Sequence, residues 1–142
     1  IADRFGVTCL SDDSGLEVNC LGGLPGVYSA RYAGEPKNDL ANSSKLLVDM
    51  SRHADRSARF VTVLTFHQNG QFHQFEGEIK GEIVLSPRGN QGFGYDPLFQ
   101  PENESRTFAE MTLSEKNVIA HRARALLKFQ SFADESLKFV DE

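Results

Sequence analysis

Phe60-Val61-Thr62-Val63-Leu64-Thr65-Phe66 is apolar or β-branched at every position, so an extended chain built from it has no polar face. A strand of that kind belongs in the middle of a sheet, covered on both sides. Asn69-Gly70 follows directly, and that dipeptide supplies the positive φ values of a tight hairpin turn. The chain is therefore predicted to return as a second strand from Phe72 to Ile79, with a third from Glu82 to Leu85 after Gly81. Upstream, Val7 to Ser11 and Leu16 to Cys20 read as two short strands around Asp12-Asp13-Ser14-Gly15, a tetrapeptide with turn chemistry. Gly22-Gly23-Leu24-Pro25-Gly26 must bend sharply or pass close to something.

Helical patterns flank this strand-rich middle. Between Asp39 and Met50, the side chains of Leu40, Leu46, Leu47 and Met50 fall on one helical face, with Asp39 as the candidate cap. Thr112-Leu113-Ser114-Glu115 has the form of a capping box. Ile119, Ala123, Leu126, Ala133, Leu137 and Val140 then make an apolar stripe on one helix or a closely spaced pair. Residues 1–6 look like the last turn of a helix closing on Gly6, and a start at Ile1 reads as a beginning in mid-protein. The order of strands, helix, meander and helices predicts an α/β chain. Its mixed central sheet would be flanked by helices in a single domain over 1–142.

With 142 residues, 39% hydrophobic and 25% charged, the composition is that of a globular protein, which excludes wholesale disorder and collagen-like structure. No apolar run nears the ~20 residues of a membrane span, and no basic-then-apolar export signal opens the chain. A net charge of −5 argues against broad nucleic-acid binding, which needs a cationic surface. Cys9 and Cys20 are too few for a disulfide scaffold and are expected as buried free thiols in a reducing cytoplasm.

Three places could carry chemistry. Asp12 and Asp13 are adjacent carboxylates of the kind a hard cation such as Mg²⁺ accepts, or else an Asp-rich turn capping itself. If extended, the two point to opposite faces. Gly92-Phe93-Gly94-Tyr95-Asp96-Pro97 sets two rings between glycines. Those rings either offer stacking faces to a planar base, worth ~1–3 kcal/mol each, or anchor the loop in the core. In the first case Asp96 could accept hydrogen bonds from a base edge. Lys116, His121, Arg122 and Arg124 concentrate positive charge near a helix start, either for a polyanion or as a solvated helix face. The spacing of Gly89, Gly92 and Gly94 matches no dinucleotide fingerprint, and no P-loop lysine motif is present.

Read together, these segments resemble a known family. Ser11-Asp-Asp-Ser-Gly-Leu-Glu-Val18, Gly22-Gly-Leu-Pro-Gly-Val-Tyr-Ser-Ala-Arg-Tyr-Ala-Gly34, Gln91-Gly-Phe-Gly-Tyr-Asp-Pro97, and Thr107-Phe-Ala-Glu-Met111 with Glu115-Lys-Asn-Val-Ile-Ala-His-Arg122 occur in the expected order. They are similar to the noncanonical purine nucleoside triphosphate pyrophosphatases, the inosine/xanthosine triphosphatases or Ham1-like enzymes. The resemblance implies a Ham1/Maf-like fold and Mg²⁺-dependent hydrolysis of inosine, deoxyinosine and xanthosine triphosphates to the monophosphate and pyrophosphate. By that likeness Asp13 is the catalytic and metal-holding carboxylate, with Asp12 beside it. Ser14, Phe93, Gly94, Tyr95, Asp96, Lys116, His121 and Arg122 would bind substrate, the last two at the purine 6-oxo group. A cytoplasmic homodimer is implied as well. Alternatives are a non-catalytic nucleotide-binding fragment, or a related pyrophosphatase acting on other modified nucleotides.

The likeness has two departures. Family members carry an upstream Ser/Thr-Gly-Asn…Lys phosphate loop and a metal-completing glutamate, which an N-terminally incomplete chain would lack. Ala120 stands where serine is usual directly before His-Arg, a change expected to have only a local effect. The isolated chain is therefore expected to release little or no pyrophosphate from inosine triphosphate with Mg²⁺; turnover like that of a full-length relative would contradict this.

Overall fold

A computed structural model describes residues 8–140, with side chains through residue 135. The helix end read in residues 1–6, and the side chains of Leu137 and Val140, lie outside the described residues. The elements are β1 (Cys9–Val18), α1 (Asp39–Asp49), β2 (Ser57–Gln68), β3 (Gln71–Ile83), β4 (Phe99–Pro101), α2 (Leu113–Ile119) and α3 (His121–Val140). Short 3-10 turns cover Asn19–Leu21, Gly26–Arg31 and Phe108–Glu110. The described strands form one sheet in the order β1-β2-β3-β4, antiparallel throughout, so the α/β plan is as expected without the parallel pairing of a mixed sheet.

β2 is the central strand that its composition demands, with Phe60, Val61, Thr62 and Leu64 buried between β1 and β3. The Asn69-Gly70 turn forms as read, at φ 54° and 75°. Two other glycines do not break the strands as their turn chemistry suggests. β1 runs unbroken through Asp12-Asp13-Ser14-Gly15, pairing Asp12 with Leu64 and Gly15 with Val61. The long partner strand pairs with the backbone groups on its side of β1, which keeps this stretch extended where a turn was expected. Gly15 serves close approach instead: a Cβ there would sit 2.7 Å from the Gly26 carbonyl oxygen. Gly81 likewise lies inside β3, where a Cβ would strike the Gln100 carbonyl of β4, so the two strands expected there are one. Cys9 is exposed and Cys20 half-buried, so neither thiol has the full burial expected of it.

Leu16, Leu46, Met50, Phe60, Ile79, Phe99 and Phe108 form the heart of the core. Phe60 is its hub, with ring centroids 4.6 Å from Phe99 and 5.8 Å from Phe108. Asn42 and Leu46 on α1 and Met50 at its C-terminal cap are buried at four-residue steps, while Leu40 is 82% exposed and faces outward. Asn38 caps this helix, its side chain accepting the Ala41 N–H at 3.0 Å, and Asp39 is left as the first helical residue. The capping box at Thr112 and Glu115 opens α2 as read.

The stripe on α3 has the expected period with a different phase. His121, Ala125, Phe129 and Phe132 meet the sheet, with Phe129 and Phe132 packing on Phe66 and Phe75. Ala123 and Leu126 instead face a cavity. Gly77 on β3 sets the phase, because a Cβ there would overlap the backbone at His121 and Ala125. Gly77→Ala is therefore expected to push α3 off the sheet and cost about 1–3 kcal/mol, read as a lower midpoint in thermal denaturation. An unchanged midpoint would show that the helix does not depend on this contact.

Candidate active site

The first turn of α3 closes onto β1 and β2. Ser14 Oγ and Thr62 Oγ1 lie 2.7 Å apart on paired residues of the sheet. Arg122 reaches across from α3, donating from Nε to Asp12 Oδ2 at 2.7 Å and from Nη2 to Ser14 Oγ at 3.2 Å. Burial pushes the Asp12 carboxyl upward, but donation from Arg122 and Ser14 and the Arg122 charge carry it below the usual carboxylate range. His121 is 8% exposed and stacks on Phe60 at 4.9 Å between centroids, and its Nδ1 is buried with no hydrogen-bond partner. Burial first, then the Arg122 and Lys116 charges, lower its pKa from 6.5 to about 4. A neutral imidazole keeps one donor and one acceptor, so a ring on a cavity wall can pair with either kind of ligand group.

The opposite wall is the glycine-rich loop. Asp96, only 3% exposed, accepts on Oδ2 from Lys116 Nζ at 2.6 Å and from the Phe93 N–H at 3.1 Å. Gly92 must be glycine, since φ is 74° and a Cβ would overlap that carboxylate oxygen. The two rings divide the roles that the sequence left open. Tyr95 is the anchor, buried and donating its hydroxyl to the Ser29 carbonyl at 2.6 Å, and burial raises its phenol pKa. Phe93 is 60% exposed and presents a face, with Lys116 Nζ 4.7 Å from its centroid.

Between these walls lies a cavity of about 550 Å³. Ser14, Phe93, Gly94, Tyr95, Asp96, Lys116, His121 and Arg122 all line it, although they come from segments at opposite ends of the chain. Asp12 joins it only through Arg122 and Ser14, both of which bond to its carboxylate. Asp13 does not line it. Strand alternation turns Asp13 to the other face, where it is exposed and unpartnered among the described residues. Thr62, Ser29, Asp39 and Asn42 contribute to these walls or to their hydrogen bonds and were not among the expected residues. Asn38-Asp39 did carry a signal: where two cap-type residues adjoin, only one is needed as the cap. Ala120 occupies the junction of α2 and α3, 4% exposed and extended at φ −65°, ψ 153°.

Among the described residues no group of three or more His, Cys, Asp or Glu is placed to hold a metal ion, and no helix is long and apolar enough to cross a membrane. Mg²⁺, however, is commonly held by one or two carboxylates together with waters and substrate phosphates. The unpartnered Asp13 suits that limited share, whereas Asp12 is already engaged by Arg122 and Ser14.

The model of the Ham1 family matches residues 1–132. The chain belongs to the Ham1 family. It is 50% identical over 125 residues to a dITP/XTP pyrophosphatase of Flavobacterium psychrophilum, covering 88% of this chain and 66% of the relative. A dITP/XTP pyrophosphatase of Bacillus licheniformis is 49% identical over 139 residues, covering 96% of this chain and 71% of that protein. The solved structure of the Staphylococcus aureus Ham1 protein superposes with a TM-score of 0.92 at 41% identity, over 94% of this chain and 70% of that one. The chain thus spans about two thirds of the length of these relatives, as the 66% share of the first shows.

The buried imidazole is expected to make this Ham1-family chain lose stability in acid. An unfolded chain protonates His121 near 6.5 and the folded one only near 4, so stability falls as pH drops through that window. Above 6.5 both states are neutral and the contribution is constant. The loss approaches roughly 3 kcal/mol at the acid end. Urea denaturation across pH should show this slope in the wild type and a flatter one in His121→Asn; equal slopes would remove His121 as its source.

Proposed function

We propose that the chain supplies the purine-recognising part of an enzyme that hydrolyses inosine, deoxyinosine and xanthosine triphosphates to the monophosphate and pyrophosphate. One observation carries the reading. The substrate-type residues of distant motifs converge on one cavity with an exposed aromatic face on one wall and cationic or neutral donors on the other.

Discrimination follows from hydrogen-bond sign. Arg122 spends Nε on Asp12 and one Nη2 bond on Ser14, leaving further N–H groups of its guanidinium to donate into the cavity. A 6-oxo purine accepts from them. Adenine's 6-amino group meets donors with a donor, and buried donors left unpaired can cost orders of magnitude in selectivity. Phe93 supplies the stacking surface, which every purine satisfies equally and which therefore adds affinity without choice.

Asp13 would hold the metal end and orient the attacking water at phosphorus, where positioning and charge neutralisation dominate over covalent chemistry. Mg²⁺ bound there would screen phosphate charge and acidify a bound water. Because Asp12 and Asp13 share one strand but opposite faces, the Arg122 link keeps β1 in register with the base pocket while leaving Asp13 free. Work on the nucleotide pool fits a chain whose relatives include dITP/XTP pyrophosphatases, and a cytoplasmic homodimer is the form that the family resemblance implies.

Asp13→Asn is expected to lower pyrophosphate release from inosine triphosphate, at whatever level the chain shows it, by about 100-fold or more. Calorimetric binding of the same nucleotide without Mg²⁺ should change less than about threefold, since Asp13 lies off the cavity that takes the base. Unchanged release would take Asp13 out of the reaction. Equal affinity for inosine and adenosine triphosphates in the wild type would overturn the keto-purine reading.

A further inference from the structure

We infer that Asp39 is a positioning residue for base recognition: its carboxylate fixes the Phe93 loop at the height where the exposed ring can cover a purine. The inference deepens the proposed function and depends on it for the identity of the ligand.

Asp39 belongs to none of the motifs that converge on the cavity, and the capping of α1 does not occupy it, because Asn38 does that work. It is free to reach another segment. Its Oδ2 accepts the Gly94 N–H at 2.9 Å, a bond spanning 55 positions of sequence. Gly94 lies between the two rings of the loop and has φ 61°, with open space where a Cβ would be. No side chain can anchor the loop at Gly94, so this bond adds to the neighbouring tie from the Phe93 N–H to Asp96. Lys37 Nζ is 3.9 Å from the other carboxylate oxygen with both side chains well exposed, an ion pair too weakly screened from water to divert it.

One turn further along α1, Asn42 holds the neighbouring wall. It is 2% exposed, donating Nδ2 to the Ala30 carbonyl at 2.9 Å and accepting the Ala33 N–H on Oδ1 at 2.7 Å. The first turn of α1 therefore ties together the 29–33 segment and the 93–96 loop, both of which face the cavity. The two residues differ in what their loss leaves behind. Loss of the Asn42 bonds orphans buried groups, whereas the residues that follow Gly94, namely Tyr95, Leu98 and Phe99, are core members that do not depend on Asp39. Asp39 thus controls loop height with little hold on the fold.

The test compares Asp39→Ala, which removes the acceptor, with Asp39→Asn, which keeps one. Calorimetry with inosine triphosphate and with inorganic triphosphate, both with Mg²⁺, separates the base end of the ligand from its phosphate end. Amide exchange at Gly94, followed by NMR, reports the bond without any ligand. In Asp39→Ala, inosine triphosphate should bind about tenfold more weakly and Gly94 should exchange about tenfold faster, the size expected for one charge-assisted hydrogen bond. Inorganic triphosphate should bind as in the wild type, and Asp39→Asn should recover most of both losses. Unchanged Gly94 exchange in Asp39→Ala, equal weakening of both ligands, or no recovery in Asp39→Asn would overturn the inference. Should the wild type fail to bind inosine triphosphate, the keto-purine reading falls, and with it the recognition role. Gly94 exchange would then decide whether Asp39 holds the loop at all.

Discussion

The close approach of α3 to the sheet at Gly77 is the constraint on which the site depends. Only a residue without Cβ allows the backbone at His121 and Ala125 to lie against β3. That contact brings the start of the helix down over Thr62 and Ser14, which are on the strands paired next to it. From there Arg122 can span to Asp12, and His121 can lie flat on Phe60. Interiors are packed too tightly for a helix to float a few tenths of an ångström higher without losing those contacts. A packing decision in the middle of a strand thus sets the chemistry at the end of a helix.

Electrostatics then divides the neighbourhood. On one side of β1 the Asp12 carboxylate is consumed by an arginine and a serine, and the adjacent imidazole is kept neutral by burial beneath cationic neighbours. On the other side Asp13 stands in water without a partner among the described residues. Across the cavity the buried pair of Lys116 and Asp96 does a different job. Buried ion pairs are weak sources of net stability, because desolvation offsets much of the attraction. Here the pair also takes the Phe93 N–H, so its contribution is to specify one loop conformation and to set a cation beside the Phe93 ring.

Local chemistry made some of this legible in the sequence and tertiary contact hid the rest. The run from Phe60 to Phe66, the Asn69-Gly70 turn and the Thr112–Glu115 box are each decided by a few adjacent residues, and each forms as read. Gly15 and Gly81 were misread because a glycine in an extended segment marks either a turn or a close neighbour, and the neighbour (Gly26 for one, Gln100 for the other) is remote in sequence. The same blindness shifted the phase of the α3 stripe, since Gly77 lies far upstream of the helix that it admits. Family motifs named the cavity-lining residues from Ser14 to Arg122. They could not name Thr62, Asn42 or Asp39, whose parts are defined by hydrogen bonds to other segments.

A crystal structure with deoxyinosine triphosphate and Mg²⁺ bound would test the central claim most directly. The account places the base against Phe93 with its 6-oxo oxygen within hydrogen-bond distance of Arg122 or His121, and the phosphates extending toward the Asp13 face of β1. A base lodged outside the cavity, or one inside it whose 6-oxo edge faces away from both side chains, would contradict it.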